Sequence, residues 1–406
     1  MPGSLKLRAM SALGLIILIG IAWAFSENRR RVPWRIIVWG LALQLLLGLV
    51  VLRTDFGLWF FTQVRMAFDT LTGATKAGAG FLFGKLTESQ DIGAIMAFQV
   101  LPVIIFVSSV AAVLQHLHII QGVVRALAWV MRRTMKTSGA ETFGASLLVF
   151  LGIESLAAVR GYLNDMTRSE LFTIMTAFMA TIAASVMVAY ASFGAEPGHL
   201  LAASLMSAPA AILIAKVMIP ETAIPKTDGA ARVTIPIESH NVVDAATRGA
   251  SDGLHLALNV AAMLIAFLGI VHLLNLATGR VTGMDFQAIL GWIFRPFAII
   301  MGVAPQDAAN VAQLLGTRSA FNEFLAYVQF KDMLAAGGLD PRSAVIATYA
   351  LCGFANPGSV GILIGGATAL MPGRQKEIVQ LALKSFISGT LACFATGCMA
   401  GILTNG

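Results

Sequence analysis

Long apolar runs separated by short polar stretches extend along most of the 406-residue chain. A helix needs about 20 apolar residues to cross a bilayer. We predict eight such spans, at 10–26, 34–53, 92–115, 169–192, 199–219, 254–276, 343–370 and 377–403. The more broken or amphipathic stretches predict interfacial helices and re-entrant hairpins, at 55–84, 118–132, 142–163 and 288–328. The pattern therefore predicts an all-α polytopic membrane protein.

The seventh run contains a polar interruption, Asn356-Pro357-Gly358-Ser359. Proline removes a backbone donor and clashes with the preceding turn, so the helix cannot continue undisturbed. Helices broken at mid-membrane line the substrate and ion sites of secondary transporters. The interruption indicates a secondary transporter with Asn356 and Ser359 at its site. The alternative role for both side chains is to cap the second half of the helix.

Composition and charge narrow the class of protein. Hydrophobic residues make up 57% and charged residues 12% of the chain, with a net charge of +7. Basic loops face the cytoplasm, so we interpret the charge as membrane topology rather than nucleic-acid binding. Both termini are then predicted to be periplasmic, with hairpin 142–163 entering from the cytoplasm and 288–328 from outside. The basic clusters lie at 29–35, 132–136, 216–248 and 374–376.

Motifs for enzymes and bound metals are lacking. Cys352, Cys393 and Cys398 show no metal-ligand spacing. The stretch 78–85 superficially resembles a phosphate-binding loop, but Leu86 stands where Ser or Thr would hold magnesium. We predict no enzyme, no cofactor and no metal other than a transported ion.

A weak internal repeat and two carboxylates organise the membrane part. Residues 168–186 and 342–360 share Arg-Ser at one end and Ser-Val at the other, and each follows a predicted hairpin. Because the hairpins enter from opposite sides, the repeat is inverted, as in alternating-access transporters. Glu154 and Glu323 lie within the hairpins, where a carboxylate normally faces a cavity or a partner. Pairing with Arg160 or Arg318 for stability is the alternative.

These features accompany a resemblance to concentrative nucleoside transporters of the bacterial type. The matching segments are TLTGATKAGAGFLFGKL (70–86), AFQVLPVIIFVSSV (97–110), MTRSEL (166–171), HLLAASLMSAPAA (199–211), LLGTRSAFNEFLAY (314–327) and ATYALCGFANPGSVGILIGG (347–366). The resemblance implies a homotrimer in the bacterial inner membrane. It also implies an elevator-like movement of a transport part, which carries nucleoside with a Na⁺ or H⁺ gradient. Glu323, Asn356 and Ser359 match the ribose-binding positions of the family, and Phe354 matches its aromatic residue near the sugar.

The first hairpin departs from the family pattern Gly-Gln-Thr-Glu-Ala-Pro. Aligned on Glu154, the Gln and Thr that would bind the nucleobase become Gly152 and Ile153, so Glu154 is the one residue of that polar trio that this chain keeps at the substrate site. Val186 keeps an apolar contact with the base. Where the family has an Asn seven residues before the Glu154 position, the chain has Leu147. We therefore expect altered base recognition. A modified or non-standard nucleoside, or a non-transporting sensor, is the alternative function.

The coupling ion stays open at this point. Sodium needs hard oxygen ligands. The resemblance implies that the Thr181 hydroxyl and the backbone carbonyls of Phe150 and Ile182 are the sodium ligands that remain in this chain. Proton coupling through Glu154 is the other candidate, since a buried carboxyl can load and release a proton. An uncoupled mode is the third.

The predicted organisation has four parts. They are N-terminal spans with an interfacial helix (1–90), a first core half (91–219), a cytoplasmic loop (220–253) and a second core half (254–406). Each half starts with a scaffold span and continues with a hairpin and two further spans.

Overall fold

The computed structural model describes residues 2–87, 96–226 and 239–404, and all regular structure in these ranges is helical. The α-helices are α1 (Pro2–Ala24), α2 (Trp34–Arg53), α3 (Asp55–Phe83), α4 (Met96–Gln99), α5 (Leu101–His116), α6 (Ile119–Met135), α7 (Gly139–Leu151), α8 (Ser155–Ala158), α9 (Arg160–Leu163), α10 (Arg168–Ala180), α11 (Ala184–Ser192), α12 (Pro197–Met218), α13 (Val242–Thr282), α14 (Phe286–Ile300), α15 (Ala308–Ala320), α16 (Glu323–Ala335), α17 (Pro341–Leu351), α18 (Pro357–Leu370) and α19 (Gln375–Leu403).

The predicted spans are confirmed as helices. Within the described ranges, seven helical segments are long and apolar enough to cross a membrane, and they coincide with seven of the eight predicted runs. The remaining run, 343–370, is divided between α17 and α18, and each half is too short to span alone. Residues 92–95 of the third predicted span and 227–238 of the predicted loop lie outside the described residues.

Two helical hairpins are present, and the bounds of the second differ from the prediction. The first consists of α7, from Gly139, followed by short helices up to Leu163, and the predicted segment 142–163 lies within it. The second consists of α15 and α16, so the predicted segment 288–328 began too early and ended too soon. Its first part is α14, a separate apolar helix. Gly302, with φ +78°, reverses the chain between α14 and α15 and defines the boundary.

Two spans are broken at corresponding places. The first breaks at Thr181–Ala183, between α10 and α11, and the second at Cys352–Asn356, between α17 and α18. Each break follows the helix that opens the internal repeat. Three segments of the chain come close together at Gly353, since a Cβ there would lie 2.5 Å from Cys393 Sγ and 3.0 Å from Ala180 O. The second break therefore packs against the end of α10, immediately before the first break.

Polar side chains satisfy the backbone at the helix starts that lie inside the molecule. Ser138 and Glu141 form a capping box at α7, and Thr167 and Glu170 form another at α10. Asn322 accepts the Leu325 amide at the start of α16. Since hydrocarbon offers no water to these amides, the caps are needed for helices to begin there.

Helix packing separates an inner body from a wall. α10, α12 and α19 are mostly buried, because they pack against one another and against α1, α2, α7 and α17. α5 and α13 instead pack against each other, with large apolar side chains exposed along α13. Exposed apolar residues on a helix of this length face lipid or another subunit. α5 and α13 thus form one side of the molecule.

Candidate functional site

A cavity of about 850 Å³ lies between the first hairpin, the two breaks and the α5–α13 pair. This volume is within the usual range for small-molecule sites. The lining includes His116 at the end of α5, Ser239 just before α13, and Arg248 in the first turns of α13. We call the lining residues of α5 and α13 the α5–α13 wall.

Glu323 is the polar centre of the cavity. It is the first residue of α16 and is 3% exposed. Its Oε1 accepts a hydrogen bond of 2.8 Å from the Tyr190 hydroxyl, and its Oε2 accepts one of 2.6 Å from Asn356 Nδ2. Both donors are side chains of the broken spans or their flanks. The carboxylate is consequently fixed, and it keeps acceptor capacity for a ligand in the cavity that it lines.

Asn356 joins the carboxylate to the second break. Its Oδ1 accepts the Ser359 amide at 2.8 Å and so caps α18. Its Nδ2 also donates to Ser359 Oγ at 3.0 Å. The capping role and the site role, which the sequence left as alternatives, therefore coexist in one side chain. Glu323, Asn356 and Ser359 form a connected polar group on one side of the cavity.

Phe354 lies beside this group. Its ring centroid is 5.8 Å from that of Phe178, and both residues line the cavity. The two aromatic rings therefore line the cavity next to the polar group.

The first hairpin contributes an apolar face. Leu147, Phe150, Gly152 and Ile153 line the cavity together with Val186 of α11. Gly152 has φ +64°, a backbone conformation that favours glycine, and it ends α7 at the hairpin tip. The Glu154 backbone lies in the short helix Gly152–Glu154, and its side chain lies outside the described residues. The described part of this face offers no polar side chain to a ligand.

Hydroxyl and carbonyl oxygens gather where the first break meets α7. Thr181 Oγ1 donates to Ala177 O at 2.8 Å and lies 3.1 Å from Leu148 O. Ser204 Oγ, on α12, lies 3.3 Å from Val149 O and 3.5 Å from Ile182 O. Each hydroxyl has a single proton, so this cluster has more acceptors than donors. Such an oxygen-rich site fits a monovalent cation.

The cluster differs in detail from the expected set of ion ligands. Thr181 and Ile182 belong to it, as the resemblance implied. The carbonyls of α7 that approach these hydroxyls are those of Leu148 and Val149, whereas Phe150 lines the cavity. Leu147 is fully buried and supplies no oxygen ligand. In the described residues, no group of three or more His, Cys, Asp and Glu is arranged for a metal.

Arg318 has a different role from the pairing considered in the sequence. It is fully buried on α15, with Nε donating to Gly353 O at 3.2 Å and Nη2 lying 3.1 Å from Cys393 Sγ. No ion pair joins it to Glu323 among the described residues. Arg318 therefore ties the second hairpin to the second break. Tyr190 and Ser204 also belong to the site, and the sequence reasoning missed both.

Comparisons with known proteins agree with this arrangement. Profiles described as "Na+ dependent nucleoside transporter" match residues 13–86 for the N-terminus and 199–401 for the C-terminus, and a "Nucleoside recognition" profile matches 97–197. A solved structure of CNTnw in an inward-facing substrate-bound state is 34% identical, with a TM-score of 0.93, covering 98% of this chain and 99% of that one. The chain belongs to the Na⁺-dependent, concentrative nucleoside transporter family.

The relatives in this family are transporters rather than enzymes. Solute carrier family 28 member 3 of Rattus norvegicus is 43% identical over 97% of this chain and 58% of its own length. Sodium/nucleoside cotransporter 1 of Homo sapiens is 37% identical over 98% of this chain and 64% of its own length. The chain thus spans about three-fifths of these two relatives. A CNTnw variant with one Asn-to-Leu replacement, in an intermediate state, has a TM-score of 0.92 at 34% identity, covering 98% of this chain and 100% of that one.

Proposed function

We propose that this protein imports nucleosides across the membrane by secondary active transport. The observation that carries the proposal is the polar group of Glu323, Asn356 and Ser359 inside a cavity that is otherwise largely apolar. A fixed carboxylate, an amide and a hydroxyl can pair with adjacent sugar hydroxyls. A site built this way strongly rejects analogues that lack a hydroxyl, because its own buried groups would go unpaired.

Movement of one body against another is the mode of transport that we infer. The hairpins and broken spans form a compact body, and the α5–α13 wall lies across the cavity from them. CNTnw has been solved in inward-facing, intermediate and outward-facing states, which supports an elevator-like step for this chain too. In this proposal the halves 91–219 and 254–406 each supply one scaffold helix and one share of the moving body.

Sodium is the coupling ion that the structure favours. The oxygen cluster around Thr181 and Ser204 supplies hard ligands without a formal charge, which suits a monovalent cation. The family description is that of Na⁺-dependent transporters. Proton coupling through Glu154 is the competing mechanism, and it predicts uptake that is indifferent to sodium.

The assembly and location that we propose follow the resemblance. The protein would be a homotrimer in a bacterial inner membrane, with both termini in the periplasm. Exposed apolar residues on α13, such as Leu258 and Ile265, would then face lipid or a neighbouring copy. The mass of the complex in detergent tests the trimer, and cysteine labelling at each terminus tests the topology.

Uptake into proteoliposomes tests the function. Labelled uridine and adenosine are supplied under separately imposed Na⁺ and H⁺ gradients, with wild-type protein and Glu323→Gln. We expect Na⁺-driven uptake by the wild type and loss of uptake in Glu323→Gln, because the amide offers the sugar a donor where an acceptor is needed. Uptake driven only by protons would overturn sodium coupling. Binding without uptake under either gradient would favour a sensor.

A further inference from the structure

We propose that Asn259, on the α5–α13 wall, binds the edge of the nucleobase at the end of the elevator movement where the sugar site lies opposite that wall. This inference rests on the proposed nucleoside transport and adds the residue that recognises the base. It assigns base recognition to the wall rather than to the first hairpin.

The two sides of the cavity differ in chemistry. The hairpin side presents Leu147, Gly152 and Ile153, with Val186 beside them, and none of these side chains can form a hydrogen bond. The polar group around Glu323 is committed to sugar hydroxyls in the proposed function. A nucleobase carries several donors and acceptors, and leaving them unpaired in a desolvated site is unfavourable. Apart from Glu154, whose side chain lies outside the described residues, the hairpin side offers the base no side-chain partner, so we look for further partners in another part of the lining.

Asn259 is suitably placed on the opposite side. Asp252, Leu256, Asn259 and Met263 all line the cavity, and their spacing places them on one face of α13. Asn259 lies near the middle of this 41-residue helix, within the predicted span 254–276, and it is exposed. Within the ranges that the structure describes, its side chain makes no hydrogen bond to protein. Because this amide lines the cavity without a protein partner, water or a ligand can hydrogen-bond to it.

Close packing of α13 on α5 fixes the direction of this face. A Cβ added at Gly249 would lie 2.6 Å from Ser108 O, and one at Gly253 would lie 2.8 Å from Ile105 Cα. Such a pair of glycines, four residues apart, lets two membrane helices approach at the backbone. α13 consequently cannot rotate without a clash, and Asn259 is held at the cavity.

The chemistry of the amide suits a base. Asparagine offers two N–H donors and one acceptor on a planar group, which can pair with a neighbouring donor and acceptor on a base edge. Because the wall does not travel with the hairpins in the proposed elevator step, this contact exists only at one end of the movement. Asn259 would then raise affinity for the base on the side where the cavity meets the wall.

Two variants of α13 test the proposal. Asn259→Ala removes the amide, and His255→Ala, one turn away and outside the cavity lining, is the matched control. Each purified protein is titrated with uridine, adenosine and inosine, and transport is measured from both faces of oriented proteoliposomes. We expect Asn259→Ala to weaken binding by about two- to twelvefold, the range for one net hydrogen bond. We also expect the loss to differ among bases and to occur at one membrane face, with His255→Ala unchanged.

The outcomes separate this inference from the proposed function. Equal affinities and equal base preference in Asn259→Ala and wild type would overturn the role of Asn259, provided that wild type transports. An equal loss for all three nucleosides at both faces would also overturn it, since that is the effect of a structural residue. Absence of nucleoside binding in the wild type would refute the transport proposal itself. If Asn259→Ala does not fold, Asn259→Asp replaces the N–H donors by acceptors and must change the order of base preference.

Discussion

Glu323 receives its two hydrogen bonds from parts of the chain that are far apart. Tyr190 lies on α11, after the first break, and Asn356 lies at the second break. The carboxylate therefore joins both halves of the inverted repeat at one point. Any change in the relative position of the two breaks would alter the geometry of the proposed sugar site.

Removal of the Tyr190 hydroxyl should weaken substrate binding without abolishing it. Tyr190→Phe deletes one hydrogen bond to Glu323, for which about 0.5–1.5 kcal/mol is typical. We expect the KM for nucleoside uptake to rise about two- to twelvefold, with a smaller effect on kcat. Tyr327→Phe is the control, because Tyr327 stacks on Tyr190 but donates to Thr348 O. A KM that changes equally in both variants would contradict a specific role for Tyr190.

At this scale the sequence was informative where a residue breaks its local pattern. Asn356 and Ser359 interrupt an apolar run, and Glu323 places a charge in a hairpin, so each could be predicted. Tyr190 stands in the run VAYAS, where an aromatic residue fits an ordinary span. Its role depends on a contact with a residue 133 positions away. Only the folded chain shows that contact.

The base of the first hairpin is held by a buried charge. Lys216, near the end of α12, is 2% exposed and lies 2.8 Å from Glu141 of α7. It also donates to Ser169 Oγ at 3.0 Å and lies 3.3 Å from Glu221. Three elements of the inner body therefore meet at one ammonium group.

Breaking this pair should destabilise the protein more than removing it. Lys216→Met leaves Glu141 as an uncompensated buried charge, for which a loss of about 3–5 kcal/mol is typical. The double variant Glu141→Gln/Lys216→Met removes both charges, keeps an acceptor for the Ser138 amide in the capping box, and should recover part of that stability. Thermal unfolding in detergent measures both variants. A single variant as stable as wild type would show that the pair does not hold the hairpin.

The elements themselves were largely predictable, and the boundary of the second hairpin was not. The spans follow from the length of the apolar runs, and the second break, at Cys352–Asn356, follows from Pro357. α14 is as apolar as α7, an arm of the first hairpin, so it was taken for an arm of the second hairpin although α15 is more polar. The separation depends on Gly302 and on packing between distant helices.

On the scale of the whole molecule, the α5–α13 wall has its own means of support. Gly253 allows the two backbones to touch, since a Cβ there would lie 2.8 Å from Ile105 Cα. Close backbone contact thus holds the wall, together with the hydrogen bond of 2.8 Å that Ser109 Oγ of α5 donates to Ala246 O of α13. In the proposed movement the wall would stay rigid.

A side chain at this contact should separate the two helices. Gly253→Leu places bulk between two backbones, and overpacking of this kind typically costs about 1–3 kcal/mol or more. We expect a lower thermal unfolding temperature and slower uptake. Gly269→Leu on the same helix is the control, because a Cβ there meets nothing within 4 Å. A wild-type unfolding temperature for Gly253→Leu would contradict the packing argument.

After a transporter releases its substrate, the empty substrate site must return across the membrane. The hydrogen bonds of Glu323 affect the free energy of this return step. A carboxylate exposed to hydrocarbon is penalised by about 2.5–3.5 kcal/mol on insertion scales, which would slow the crossing. Tyr190 and Asn356 belong to the same body as Glu323, so its charge keeps two donors during the whole journey. Cycling speed should then be governed by a step other than dehydration of this acid.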